Sequence, residues 1–401
     1  MGFGNSAADI VVATPLRTAI GTFGGALKDV PATDLGATVG KAVIERSGVD
    51  AGQINQVIVG NILSAGQGMN PGRQVALRAG LPTSVPGMTL NRVCGSGLQA
   101  IVSAGQQVAL GESAVVLAGG IENMDQAPFV LPKARYGYRM GLPRGELVDA
   151  MVYDGLWDVF GDYHMGVTAE NVAEQYGIGR DEADAYALRS HRLASQASQA
   201  GAFRDQIVPV AIRQRKETVR FESDEHVRPS TTSEALAQLP PVFKPAGAVT
   251  AGNASGINDG AALMLVSTRQ TAEELGLPIA GRLVSYAVAG VDPALMGMGM
   301  VPATRRALER AGLGLEQIEL FEVNEAFAAV AVATARELGI PEERLNPLGG
   351  AVALGHPIGA SGAVLVVKLL HELARRRARY GLATLCIGGG MGIAAVFERP
   401  D

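Results

Sequence analysis

The most constraining feature of this sequence is that it resembles itself. AVVLAGG, Ala114 to Gly120, and ATLCIGGG, Ala383 to Gly390, are similar strand-like runs that end in glycine. Each follows a turn of small residues that opens a helix-like stretch, CGSGLQAIVSAGQQVAL in the first half and GASGAVLVVKLLHEL in the second. Upstream, the first third alternates DIVVAT, ATDLGATVGKAVIERSG, QVIVG and a helix-like segment around RQVALRAG. Such alternation predicts an α/β fold on a mainly parallel sheet. Thr33 is placed to cap the first helix, Leu35, Val39 and Val43 recur at helical spacing, and Gly48 can close it. The rhythm restarts near residue 278 with RLVSYAVAG, a helix begun by Pro302 and Ala303, the strand IELFEV and the helix AFAAVAVATARELG. A duplicated chain of this kind places its ligand where the copies meet.

Between the copies the texture changes. Positions 121–257 are richer in charge, methionine and aromatic residues and lack the strand–helix rhythm, as in PRGELVDAMVYDGLWDVFGDYHMG and FRDQIVPVAIRQRKE. A stretch of that length is not an idle loop, and it reads as an inserted subdomain over the site. The expected division is therefore 1–120 with 258–277 as the first half, 121–257 as the insert and 278–401 as the second half.

Composition narrows the function. A chain of 401 residues, 47% hydrophobic and 18% charged, can bury large cores. Its 52 glycines suit sharp turns and close backbone approaches. A net charge of -5 without a long basic cluster argues against nucleic acid, and Arg375, Arg376 and Arg377 read as a solvated helix end. No apolar run is long enough to span a bilayer, and the two cysteines make no disulfide scaffold, so a soluble protein of a reducing compartment, the cytoplasm, is expected. Met1, Gly2 and Ser6 satisfy the loose N-myristoylation spacing, but DIVVAT behind them reads as a core strand and the motif is of low specificity.

Cys94 lies in NRVCGSGLQA, between a strand-like segment and a helix. Unpaired N–H groups at a helix start stabilise a thiolate, and flanking glycines leave room for substrate, so a nucleophile is expected in place of an inert core thiol. His356, in GHPIGASG, occupies a second small-residue turn and can take a proton from a cysteine; the plainer reading is a turn histidine bonded to backbone. Cys386 stands beside the run Gly388, Gly389, Gly390, where N–H groups can converge on an anion, though alone it would read as a core cysteine. That glycine run is not a dinucleotide fingerprint, because IAAVFER after it reads as a strand. Asn324 and Glu325 fall at a strand-to-helix junction, where capping is the plain explanation. His164 precedes a helix of the insert; His191, His226 and His371 receive no role, and no cluster has metal-ligand spacing.

Taken in order, NRVCGSG, YHMGVTAENVA, TAGNASGINDGAA, VNEAFAA, GHPIGASG and CIGGGMG resemble the successive signatures of the thiolase family and span nearly the whole chain. The resemblance is to bacterial acetyl-CoA acetyltransferases and broader 3-ketothiolases. It implies two duplicated βαβαβαββ halves in an α-β-α-β-α layering, a loop domain that binds coenzyme A, a homotetramer, and acyltransferase chemistry on acetyl-CoA, acyl-CoA and 3-oxoacyl-CoA thioesters, as in fatty acid metabolism, with no further cofactor. Carried over, Cys94 becomes the acylated nucleophile, His356 assists its ionisation and Cys386 is the acid/base at the α-carbon. Asn324 would hold a water that joins His356 in stabilising an enolate, and the N–H groups of Cys94 and Gly388 would face the acyl carbonyl. His164 would line the pocket; Arg228 would meet the adenine-phosphate end of coenzyme A, with Leu156, Met165, Phe243, Ala254, Ser255, Ala326 and Phe327 along its channel. Three departures stand out: Val323 before the asparagine, Met300 where proline is frequent, and Pro240 where arginine is frequent, the last two with consequences for the acyl or coenzyme A pocket. A decarboxylating 3-oxoacyl synthase would pair its cysteine with His/His or His/Asn, and a degenerate lipid carrier would lack the catalytic set; Cys386 and the intact set favour the thiolase reading over both.

Overall fold

The computed structural model describes residues 9–138, 146–213 and 217–400; Met1, Gly2 and Ser6, where the acylation motif falls, lie outside them. The first half runs β1 (Ile10–Thr18), α1 (Ala32–Ser47), β2 (Gln56–Gly60), α2 (Pro71–Arg78), β3 (Gly87–Leu90), α3 (Ser96–Ala109) and β4 (Val115–Asn123). The insert contributes the helices α4 (Met165–Tyr176) and α5 (Arg180–Gln199) with short two-stranded ribbons, and β5 (Asn258–Thr268) closes the half. The second half repeats the plan: β6 (Ile279–Gly290), α6 (Met300–Ala311), β7 (Leu320–Val323), α7 (Ala328–Leu338), α8 (Ile358–Arg376), β8 (Tyr380–Ile387) and β9 (Met391–Glu398).

The strand order makes the duplication explicit. In the first half β1 pairs antiparallel with β5, β5 antiparallel with β4, and β4 parallel with β2. In the second, β6 pairs antiparallel with β9, β9 antiparallel with β8, and β8 parallel with β7. Even the outer strand β3 has a counterpart, because Phe321 makes an isolated parallel bridge to Leu345. The half-sheets join through a short antiparallel pairing of β1 with β6, Val11 opposite Arg282 and Val12 opposite Gly281.

Side-chain alternation along β1 sets the layers. Ile10 and Val12 enter the central core with Leu98 and Ile101 of α3 and Val364 and Val367 of α8, whereas Val11 and Ala13 face Leu35, Val39 and Val43 of α1. A third core packs α6 and α7 on the outer side of the second half. The product is an α-β-α-β-α stack with α3 and α8 in the middle. Burial on every side explains why α8 carries no polar stripe over its first three turns; Lys368 is buried there and paired with Glu322 at 2.7 Å, and the exposed basic residues come at the end, where Arg375 and Arg376 pair with Glu372.

Two local expectations need correction. Pro31 occupies the N-cap of α1 without a side-chain cap, and Thr33 Oγ1 instead accepts from Arg78 Nη1 at 2.5 Å, although Gly48 does end the helix at φ 71°. Helix α6 begins at Met300, before Pro302, since a proline within the first turn gives up only an N–H that has no helical partner.

Candidate active site

Helices α3 and α8 cross where glycine removes the side chain from both. A methyl group on Gly97 would stand 2.8 Å from the Ala363 nitrogen, and one on Gly362 would stand 2.4 Å from the Leu98 nitrogen. Their N-termini are therefore pressed together, bringing the turn before α3 beside the turn before α8.

The first of those turns is strained. Val93 adopts φ 45°, the left-handed region that a β-branched residue rarely occupies. Side chains on either side hold it: Val93 N–H donates to Asn91 Oδ1 at 2.8 Å, Arg92 N–H donates to Ser96 Oγ at 2.8 Å, and that hydroxyl donates to Val93 O at 2.7 Å. Cys94 is presented half-buried against Ile62, Leu63, Met124 and Ile358. Across the interface, a methyl on Gly95 would meet Ile387 Cδ1 at 2.5 Å, so the residue after one cysteine abuts the residue after the other.

The electrostatics of the thiols set the helix start against burial. Burial pushes the Cys94 thiol up to about 11, and the Glu122 carboxylate adds to this, while the N–H of Gly388 and its own N–H pull the other way. The helix start thus does what its geometry requires, but burial outweighs it and the resting group is a thiol, not a thiolate. Burial and then the nearby Cys94 charge raise Cys386 well above the ordinary thiol range. The two sulfurs share one site, and both hold their protons at rest.

His356 is buried and, through that burial, held down to about 4, so its ring is neutral near pH 7. Its Nδ1 lies 2.6 Å from Ser361 Oγ, whose hydroxyl donates to Pro357 O at 2.9 Å. Because that serine proton is committed to the carbonyl, Nδ1 carries the ring proton, and Nε2 is left as the acceptor facing Asn324 Nδ2 at 3.4 Å. The loop itself is pinned by Asn258, which accepts His356 N–H at 2.9 Å and donates to Gly21 O at 2.9 Å. Gly355, at φ 108°, makes the turn before it. Neither Ser361 nor Asn258 was assigned from sequence, although both lie inside quoted motifs; the signal was a serine one helical turn beyond a histidine.

The residues expected along the coenzyme A channel form one wall. His164 Nδ1 accepts Gly166 N–H at 3.0 Å, capping α4, and its ring stacks on Phe243 with centroids 4.8 Å apart. Phe243 meets Phe327 edge-on at 6.4 Å. Ala254 bridges to Phe327, Ser255 N–H donates to Ala326 O at 3.0 Å, and Met165 N–H donates to Leu156 O at 2.8 Å. The wall reaches the thiols, since Met165 Sδ lies 3.4 Å from where a methyl on Gly388 would be. Arg228 stands apart from these contacts, in a cavity of about 340 Å³ with His191 and His226. Of the departures, Val323 is buried in β7, Met300 is fully buried in the outer core of the second half and Pro240 is exposed.

Comparison with known proteins agrees with this architecture. A family model for the N-terminal domain of thiolases matches residues 10–270, and one for the C-terminal domain matches residues 277–399. An acetyl-CoA acetyltransferase of Pseudomonas aeruginosa is 55% identical over 98% of this chain and 99% of its own. One of Syntrophomonas wolfei is 53% identical over 97% and 99%. Among solved structures, human mitochondrial 3-ketoacyl-CoA thiolase in complex with CoA superposes with a TM-score of 0.94 at 41% identity, covering 98% of both chains. The chain belongs to the thiolase family.

Proposed function

We propose that this protein is an acetyl-CoA C-acyltransferase that cleaves 3-oxoacyl-CoA with coenzyme A, or runs the condensation in reverse, through an acyl group on Cys94. The observation that supports this reading is the meeting of two protonated thiols and the Gly388 N–H where α3 and α8 cross, with the neutral imidazole of His356 in the turn before α8. In thiolysis His356 Nε2 takes the Cys94 proton as the sulfur adds to the 3-oxo carbonyl. The C2–C3 bond then breaks, its electrons pass into the acetyl-CoA enolate, and Cys386 gives its proton to C2. The resulting Cys386 thiolate takes the proton of incoming coenzyme A, whose sulfur attacks the acyl group and releases Cys94, and His356 returns the first proton. Protons and electron pairs balance, and no cofactor beyond the thioester substrates is needed.

Charge is stabilised by parts already aimed. The N–H groups of Cys94 and Gly388 point at the sulfur position and serve the oxyanion of the tetrahedral intermediates. Once protonated, His356 Nε2 donates to the enolate oxygen, and Asn324, whose buried Oδ1 has no protein partner among the described residues, supports a bridging water there. The insert binds coenzyme A, with Arg228 at the adenine-phosphate end and Leu156, His164, Met165, Phe243, Ala254, Ser255, Ala326 and Phe327 along the chain. The protein works in the cytoplasm as a homotetramer; exposed Phe129, Leu131, Tyr136 and Tyr138 on the insert support an assembled protein.

The test is thiolysis of acetoacetyl-CoA followed by loss of the 3-oxoacyl absorbance. Wild type is expected to turn over and Cys94→Ala to show no activity above background; full turnover by Cys94→Ala would end the assignment.

A further inference from the structure

Glu122 lies at the end of β4, is fully buried, and has no cationic partner among the described residues. Its donors are neutral: Asn61 Nδ2 at 2.6 Å, Leu63 N–H at 3.2 Å, Ile62 N–H at 3.1 Å and Gly359 N–H at 3.0 Å. A buried carboxylate held only by neutral donors is expensive to maintain, so its position needs a reason.

The duplication shows what it replaces. Side-chain facing sets the register of the repeat: Val115, Leu117 and Ile121 of β4 and Leu382 and Cys386 of β8 turn to the outer cores, whereas Val116 and Ala118 and Ala383, Leu385 and Ile387 turn to the central helices, so Ile121 matches Cys386 and Glu122 matches Ile387. The reciprocal contacts of Gly97 with Ala363 and Gly362 with Leu98 align the two central helices, so Cys94 matches Gly359. The relation is crosswise: Cys94, at the start of the first central helix, meets Cys386 of the second half, and Gly359, at the start of the other, meets Glu122 of the first. Glu122 thus stands where the second half carries Ile387, which packs against Gly95 at the start of α3. It also grips the pocket of the nucleophile, since Ile62, Leu63 and Ile358 pack on Cys94 and Glu122 binds the backbone of Ile62, Leu63 and Gly359.

We propose that Glu122 is a positioning residue of the acyl-transfer site, tying the Asn61–Leu63 turn to the start of α8 and placing a carboxyl group beside the pocket of Cys94. Burial raises that carboxyl to about 7, and above that pH its charge disfavours a free thiolate, so ionisation of Cys94 awaits a carbonyl that can take up the developing charge. The titratable groups gathered there are Glu122 from β4, Cys386 from β8, His356 from the loop before α8 and His164 from the insert. Cys386 stays a thiol and both imidazoles are neutral above pH 7, which leaves Glu122 as the charge that acts on Cys94.

The inference rests on Cys94 being the nucleophile, and the test separates the two. Wild type, Glu122→Gln and Glu122→Asp are inactivated by iodoacetamide across pH 7 to about 11, the alkylated peptide is mapped, and kcat is measured. In Glu122→Gln the midpoint of Cys94 alkylation is expected to fall by about one pH unit. In Glu122→Asp, which keeps the charge but withdraws it from its donors, the midpoint stays and kcat drops about tenfold, the equivalent of one weakened buried hydrogen bond. A folded Glu122→Gln protein with the wild-type midpoint would overturn the proposal. Should that variant not fold, wild-type kcat in Glu122→Asp would overturn it instead. Alkylation of wild type at a residue other than Cys94 would count against the nucleophile assignment alone.

Discussion

In the proposed reaction both sulfurs are protonated at rest, and reactivity depends on which ring nitrogen of His356 is free. The Ser361 hydroxyl fixes that choice by holding Nδ1–H. Ser361→Ala is expected to lower kcat about tenfold while KM for acetoacetyl-CoA changes little, because one buried hydrogen bond of about 1.4 kcal/mol is lost from the base and none from the substrate wall. Steady-state kinetics checks this; an unchanged kcat would show that the tautomer is set elsewhere. The acid limb of kcat/KM follows from the same ring: His356 held down to about 4 keeps its base form to lower pH than a free imidazole, so activity is expected to persist at pH 5.5 and fail nearer 4. A profile that halves near the ordinary 6.5 would contradict it. Cys94, His356 and Cys386 were legible in the sequence because each sits in a small-residue turn or glycine run, contexts that a packed core has no use for. Glu122 was not, since a glutamate at a strand end reads as solvated until the second half of the fold covers it.

At the level of elements, the crossing of α3 and α8 positions everything else. Gly97→Ala would drive a methyl into backbone at 2.8 Å, and backbone cannot step aside as a flexible side chain can. A stability loss of about 1–3 kcal/mol is expected, together with reduced activity, since the displaced helix carries Cys94. Gly179→Ala, where an added methyl meets nothing within 4 Å, is expected to be near neutral. Denaturant unfolding of both variants checks the contrast; equal losses would mean that the crossing is not tightly packed. Most helices and strands were readable from periodicity and punctuation. What misled at Thr33 was local propensity: a threonine near a helix start reads as a cap, but Arg78 of the neighbouring helix claimed its oxygen. The register that joins β1 to β6 has no local signal, because it depends on how two finished halves dock.

For the whole molecule, all five histidines are held below their ordinary value, chiefly by burial, three of them to about 4. The unfolded chain takes up these protons below pH 6.5 and the native one refuses them, so stability falls as pH drops from 6.5 toward 4, by about 1.4 kcal/mol per pH unit for each uncompensated proton. Glu122 and Glu322, raised to about 7, and Asp259, raised to about 8, act with the opposite sign, since their native forms keep protons that the unfolded chain has lost. The three imidazoles held to about 4 are offset by the three raised carboxyls, which leaves the slope to His164 and His371, so denaturation at pH 7, 6 and 5 is expected to show only a shallow decline toward acid; a loss of several kcal/mol over that range would mean that the carboxyls are ionised in the native state. The duplication itself was the part of the architecture most open to reading, because the same glycine-ended strand occurs in both halves.

The account stands or falls on two cysteines from different halves dividing one reaction. The direct measurement is a single turnover of Cys386→Ala with labelled acetyl-CoA, followed by peptide mapping and product analysis. The account predicts acetyl label on Cys94 and no acetoacetyl-CoA. Carbon–carbon bond formation at the wild-type rate, or an unlabelled Cys94, would contradict it.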